Sequence, residues 1–305
     1  MDKRRRTALI AAIAAILAGT LVMVWYRGRA LDPAAQIKRL PAADSVILYV
    51  DFDQLRRGGL LKLLEAPKGV EEEDYRKFAE RIHLDWRNDL HSAMLAFAPS
   101  GKYMLVHGRF DWKSLQAYAT SSGGDCDGSF CRMTGSTRDR RISFFPMRSN
   151  LLAMAVSTDD MAAKRMTGAA PGPDPELPKA PVWMRIPGSV LKSGEALPNG
   201  TRMFARTVDQ ADFVTLMFVP EGDRMAAKLD VLCRDDKDAA AMAAELTHAT
   251  GLLRELIQRE HVAPNPADFS GVLTSGTFRG EGRRVVGHWP IERSFIENLL
   301  SGGAS

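Results

Sequence analysis

The chain has 305 residues, 45% of them hydrophobic and 26% charged, with 41 Lys and Arg against 37 Asp and Glu. That composition excludes a wholly disordered or collagen-like chain. Six of the basic residues and one acid lie in residues 1–29, which leaves 35 basic against 36 acidic residues in the remainder. The body therefore lacks the clustered Lys/Arg footprint of a nucleic-acid-binding domain.

Thr7 to Trp25 is an uncharged apolar run of 19 residues. A helix of that length spans roughly 28 Å, close to the hydrocarbon thickness of a bilayer. Lys3, Arg4, Arg5 and Arg6 precede it, which predicts a cytoplasmic N-terminus and an exterior body. Trp25 and Tyr26 stand where an interfacial aromatic belt belongs. The alternative is a cleaved signal peptide, for which Gly28-Arg29-Ala30 offers a small-x-small site. The apolar core is longer than such peptides carry, and Trp25, Tyr26 and Arg27 separate it from that site, so the expectation is an uncleaved anchor. Ala11, Ala15 and Gly19 form a small-xxx-small row that could pack two such helices.

The expected organisation is a basic flank and anchor over 1–29 (helix about 7–25), a tether over 30–43, and a first half over 44–167. A Pro-rich linker or extended crossover follows over 168–181, then a second half over 182–300 and a tail over 301–305. The break rests on five prolines between 171 and 181, because proline cannot donate to a helix or a sheet ladder.

Each half opens with an apolar strand, Val46–Val50 or Val182–Ile186, then a helical stretch, Gln54–Leu64 or Ser189–Lys192. Each then carries F-x-P-x-G-x-x-M, from Phe97 to Met104 and from Phe218 to Met225, offset by 121. Pro-x-Gly between two apolar runs predicts a hairpin turn, since Pro fixes φ and Gly allows positive φ. A helix follows each hairpin, over Trp112–Ala119 and Asp236–Arg259. In the second helix positions 242, 246, 249, 253, 256 and 257 repeat at helical spacing, and Asp235 or Asp236 is the expected cap. Arg140-Arg141-Ile142 before Pro146 matches Arg283-Arg284-Val285 before Pro290. The expected fold class is α+β, with a transmembrane helix followed by two similar halves related by internal duplication. The short hairpins require antiparallel neighbours, so the sheets are expected to be mainly antiparallel.

Cys126 and Cys131 flank Asp127-Gly128 in GGDCDGSFC, a turn that a disulfide could close. Such a small loop is worth about 2 kcal/mol. Cys233 is left over and reads as a small buried hydrophobe. The spacing is not C-x-x-C, and no His/Cys set has zinc spacing, so neither redox nor zinc chemistry is implied.

The stretch VILYVDFDQL, residues 46–55, resembles the first motif of haloacid-dehalogenase-type phosphatases. That resemblance implies a nucleophile and a general acid at Asp51 and Asp53, with magnesium beside them. Asp159-Asp160, after the apolar run Leu151–Val156, would then supply the metal-binding acids, with Ser100 and Lys113 accessory. The same residues also fit strand ends and helix caps. Gln54 and Leu55 depart from the family's pattern, and its fold needs a parallel sheet. The histidines at 83, 91, 107, 248, 261 and 288 show no H-E-x-x-H spacing, and no G-x-S-x-G, P-loop or G-x-G-x-x-G occurs. His107 and His288 read as strand histidines with hydrogen-bond partners. Glu71-Glu72-Glu73-Asp74 reads as the acidic first turn of a helix, with a cation site as the alternative.

The anchor, the opening LPAADSVILYVDFDQLRRGGLL and the segment VHGRFDWKSLQAYA are similar to uncharacterised single-pass membrane-anchored bacterial proteins with a duplicated exterior domain. The resemblance implies no activity. The leading expectation is a non-catalytic binding or structural domain outside the membrane, without a cofactor, a nucleic-acid partner or an inferred small-molecule ligand. Its expected partner is another envelope protein, or a second copy through the transmembrane helix. A metal-dependent phosphatase-like hydrolase using Asp51 and Asp53 is the alternative.

Overall fold

The computed structural model describes residues 32–61, 73–135, 137, 139–193, 208, 211–222, 224–259 and 263–300. The anchor expected over Thr7–Trp25 and the acids Glu71 and Glu72 lie outside the described residues. Among the described residues no helix is long and apolar enough to cross a membrane.

The first half runs from α1 (Pro33–Ile37) through β1 (Val46–Asp51), α2 (Phe52–Arg57), α3 (Glu73–Arg81) and α4 (Trp86–Asp89). It continues with β2 (Leu90–Ala98), β3 (Gly101–Gly108), α5 (Trp112–Ser121), β4 (Asp125–Asp127), β5 (Phe130–Thr134), β6 (Arg141–Arg148), β7 (Leu151–Ser157) and α6 (Ala162–Arg165). The second half holds β8 (Val182–Pro187), α7 (Gly188–Ser193), β9 (Phe213–Glu221), β10 (Arg224–Leu232), α8 (Asp236–Arg259), α9 (Phe269–Thr274), β11 (Thr277–Glu281), β12 (Arg284–Ile291) and α10 (Arg293–Leu300).

All twelve strands join one sheet, and every pairing is antiparallel. The halves are thus not two separate sheets. They meet at β1 and β8, where Tyr49 pairs with Trp183 and their rings stack with centroids 5.4 Å apart. Read outward from this seam, the first half runs β1, β2, β3, β7, β6 and the second runs β8, β9, β10, β12, β11. The strand order is the same, and the first half adds β5 and β4 at its edge.

Two of the sequence matches do not fall on equivalent places. The first hairpin turns at Pro99-Ser100, but in the second Glu221 still pairs with Arg224, with Pro220 inside β9 opposite Met225. The two turns are therefore shifted by two residues relative to the shared motif. A shift of two leaves every side chain on its own face, because the strand period is two. The glycines differ in role too: Gly222 takes φ +64 within its turn, while Gly101 takes φ +146 at the start of β3. A Cβ on Gly101 would lie 2.4 Å from the carbonyl oxygen of Val156. Likewise Arg141-Ile142 opens β6, the outer strand of its hairpin, whereas Arg284-Val285 opens β12, the inner one.

Helices α5 and α8 lie on one face of the sheet. The first packs with Leu115 and Ala119 on Cys131, Phe144 and Leu152. The second packs with Ala239, Met242, Ala243 and Leu246 on Val214, Leu229, Val231 and Val285. Asp235 caps α8 by accepting from the Asp238 amide at 2.8 Å. The fully buried positions of α8 end at Thr250; Leu256, expected on the core side, is 57% exposed, and Leu252 is 45% exposed. On the opposite face, α1, α6 and the crossover between the halves cover the first half, where Ile37, Ala163, Met166 and Leu177 pack on Ile47, Tyr49, Met94, Leu105 and Ala153.

The Pro-rich segment is this packed crossover. Lys38 Nζ donates to the Gly172 carbonyl at 2.7 Å, Arg39 donates to the Thr167 carbonyl, and the Asp51 amide donates to Pro181.

Candidate functional site

The strand ends decide which acids can meet. Asp51, Ser92, His107 and Leu151 lie side by side at one end of β1, β2, β3 and β7. Val46, Phe97, Lys102 and Val156 form the corresponding row at the other end. Five residue steps of strand separate the two rows, about 17 Å at the usual rise. Asp159 and Asp160 follow β7 beyond the second row. The structure therefore keeps Asp51 and Asp53 together and puts Asp159 and Asp160 at the opposite end of the sheet. One magnesium ion holds its ligands about 2 Å away, so the four acids do not form the site that the phosphatase resemblance implies. The antiparallel pairing departs from that fold as well. Asp159 instead accepts from the Met161 amide and pairs with Arg165 at 2.7 Å, while Asp160 faces Arg132 at 3.8 Å.

Asp51 caps α2, accepting from the Gln54 amide at 2.7 Å. Asp53 pairs with Arg56, and both its oxygens lie 3.1 Å from His91 Nδ1. The His91 ring stands 4.8 Å from the His107 ring, whose Nε2 meets Asn150 Nδ2 at 3.2 Å. Burial raises the Asp53 pKa, but hydrogen bonds from His91 and Arg56 outweigh it and hold the carboxyl below its ordinary range. Burial pushes His107 down, and the neighbouring His91 adds to this. Tyr49 beneath them is pushed up to about 12 by burial and then by the Asp51 charge. The cluster can orient His91 as a base. Among the described residues, however, no serine, threonine or cysteine hydrogen-bonds its ring, and no three metal-ligating side chains converge.

A second grouping, His83 with Ser114 and Asp111, has the residue types of a hydrolytic triad in the wrong arrangement. Ser114 Oγ and Asp111 Oδ2 approach the same nitrogen, His83 Nδ1, at 3.2 and 3.3 Å. The serine gives its proton to Asp111 at 2.7 Å, so the histidine does not activate it. Asp111 is the cap of α5, and the Ser114 hydroxyl and amide hold its carboxyl down to about 2. Cys126 and Cys131 sit directly opposite on β4 and β5 and are disulfide-bonded, with Cα atoms 4.1 Å apart. Cys233 is buried and free, and burial pushes its thiol up, which suits an inert core residue.

The site that sequence reasoning missed is a groove of about 860 Å³ at the seam. It lies where the covered part of the sheet gives way to the open part. One wall is α1 and the turn after it, another is the crossover at Pro173 and Pro175, and the third is the end of β8 with α7 and Phe213. Ile37, Leu40 and Ile47 form an apolar floor. Its charges come from Lys38, Arg185 and Lys192, and from Asp44 and Asp212. Lys38 is held by Asp174, and Asp44 accepts from Ser189 Oγ at 2.7 Å. Asp212 is 3.9 Å from Arg283. Arg185 lies over the Phe213 ring, 4.1 Å from its centroid. In the sequence its trace is slight: one arginine at alternating spacing in VWMRIP.

No protein-family model matches the chain, and no curated protein sequence does. Among solved structures it is similar to TP0453. One crystal form of that protein is 11% identical, over 85% of this chain and 94% of that one, with a TM-score of 0.48. Another is 10% identical, over 84% and 94%, with a TM-score of 0.44. Likeness of this degree carries no functional argument.

Proposed function

We propose that the chain is a membrane-anchored exterior domain that binds rather than catalyses, built by duplication of one five-stranded α+β unit. The groove at the seam is its working site. The observation that carries the reading is the one-sided covering of the sheet. Among the described residues, the face opposite α5 and α8 is closed over the first half and open over the second, and the groove lies at the boundary. The repeated strand order supports the duplication, and the Cys126–Cys131 disulfide suits an oxidising exterior. Residue 32, at the start of the described chain, follows the apolar segment by a few residues and leads straight into α1 on the groove wall. The groove mouth would then face the membrane side of the body. A body of near-zero net charge suits an envelope partner better than a polyanion.

Protease added outside spheroplasts tests this reading. The body should be digested while the membrane is intact, and alkaline carbonate should leave the undigested chain in the membrane fraction. A body that is cut only after the membrane is opened overturns it.

A further inference from the structure

Among the described strand residues, the open face of the second half carries six basic side chains, Arg185, Arg224, Lys228, Arg279, Arg284 and His288. Five of them have acidic partners, Arg224 taking Glu292 at 2.8 Å. Lys228 and His288 share Glu221 at 2.7 and 2.9 Å, Arg284 takes Asp230 at 2.5 Å, and Arg279 takes Glu281. Arg185 is the exception. Its neighbours along the sheet are Ile47 on one side and Thr215 on the other. It forms no ion pair or hydrogen bond with the described residues, and its guanidinium carbon lies over the Phe213 ring, 4.1 Å from the centroid. Burial and then the nearby Arg284 draw its pKa down against the pull of Asp230, which is itself paired with Arg284, and a guanidinium stays protonated in a protein. A half-buried, always-charged fork whose donors meet no acceptor among the described residues is matched by an oxyanion. The groove's other charges, Lys38 held by Asp174, Asp44 bonded to Ser189, Asp212 near Arg283, and Lys192, stand around an apolar lining of Ile37, Leu40, Ile47, Pro173 and Pro175, and its size is that of a small-molecule site.

We propose that the groove binds a single-chain amphiphilic anion, its carboxylate on Arg185 and its apolar chain along Ile37, Leu40, Ile47 and the crossover prolines. The assignment rests on the groove being the working site. Phe213 acts as the positioning residue, since its ring holds the guanidinium by a cation–π contact. Lys192, exposed on the rim, adds attraction without geometry, because an ammonium is a point charge.

The test is photo-labelling of the full chain in phosphatidylcholine nanodiscs with decanoate carrying a terminal diazirine, followed by peptide mapping. Adducts are expected on segments 37–47, 170–175 and 185–192, and Arg185→Gln should reduce them about tenfold, the loss expected for a charge-assisted hydrogen-bonded pair. Arg185→Lys keeps the charge and loses the fork, so it should fall between the two. It also gives a second reading if the glutamine variant fails to fold. The corresponding diazirine alcohol should label the groove weakly. Equal labelling by acid and alcohol, equal labelling of wild type and both variants, or adducts confined to residues 1–31 would overturn the proposal. Protease digestion from outside together with an unlabelled groove would reject the ligand and leave the exterior reading standing. Protection from protease would reject that reading whatever the labelling shows.

Discussion

Leu105 and Lys228 are each the fifth residue of the third strand in their half, on the same face of the sheet. Leu105 is fully buried under the layer that α1, α6 and the crossover build. Lys228 is half-exposed and paired with Glu221. The same strand order therefore supports two different surfaces, and the difference lies in the strands themselves. In β7 the run LLAMAVS is almost entirely buried, as a strand covered on both faces must be. In β10 the run RMAAKLDVL alternates once past Ala227, with Leu229 and Val231 turned to α8 and Lys228 and Asp230 turned to solvent. Covering is thus written as a change from continuous to alternating hydrophobicity, and the groove forms where the change occurs.

The sharpest way to break this comparison is to truncate both positions. Leu105→Ala should cost about 2–5 kcal/mol, because it opens a cavity under a rigid layer. Lys228→Ala should cost at most about 1 kcal/mol, since it loses only a solvent-screened ion pair. Urea denaturation of the two variants measures both. A Lys228 variant as destabilised as the Leu105 variant would mean that the second half is covered too.

A smaller effect is expected at the free edge of the first half. Serine at Cys126 and Cys131 removes the bond across β4 and β5 and should lower stability by about 2 kcal/mol on the chain-entropy account. The change should be local, because this hairpin lies beyond β6 and has no counterpart among the described residues of the second half. Hydrogen exchange should therefore rise in residues 125–134 and stay constant in β8–β12. Faster exchange throughout the sheet would show that the edge hairpin holds more than its own half.

Much of the fold was legible because its signals are local. The apolar runs of β1 and β8, the Pro-Gly hairpins, the long helix after Asp235 and the Cys126–Cys131 turn each depend on a few adjacent residues. The motif alignment misled by two residues because Pro99 serves as a turn residue and Pro220 as a strand residue, and only pairing distinguishes them. The clustered acids of Asp51-x-Asp53 and Asp159-Asp160 looked like one site because a sequence shows no strand direction. An antiparallel sheet sends the two strand ends to opposite sides. The groove was invisible for a related reason. Its walls come from residues near 40, 173, 187 and 212, and Arg185 has significance only because no acid lies beside it in the sheet.

The smallest effect tests the polar end of the first half, where His107 lies among His91, Asp53, Asp51 and Asn150. Its folded pKa lies below the ordinary value of 6.5, chiefly through burial, so the unfolded chain binds the proton more readily. Stability therefore falls as pH drops below about 6.5 and stops falling once the folded pKa is passed. Asp53 acts in the same direction in a separate window. Its folded pKa is depressed below 3.8, so its contribution is present above that value and is lost as pH falls further. His107→Gln keeps an acceptor for the Asn150 amide but removes the titrating ring. Between pH 7.5 and 5.5 the variant should show a smaller drop in Tm than wild type, while the loss below pH 4 should persist. The second half offers no half-buried histidine pair of this kind among the described residues, since His288 sits on the open face with Glu221. If His107→Gln left the drop between pH 7.5 and 5.5 unchanged, the acid sensitivity would not arise at this end of the sheet.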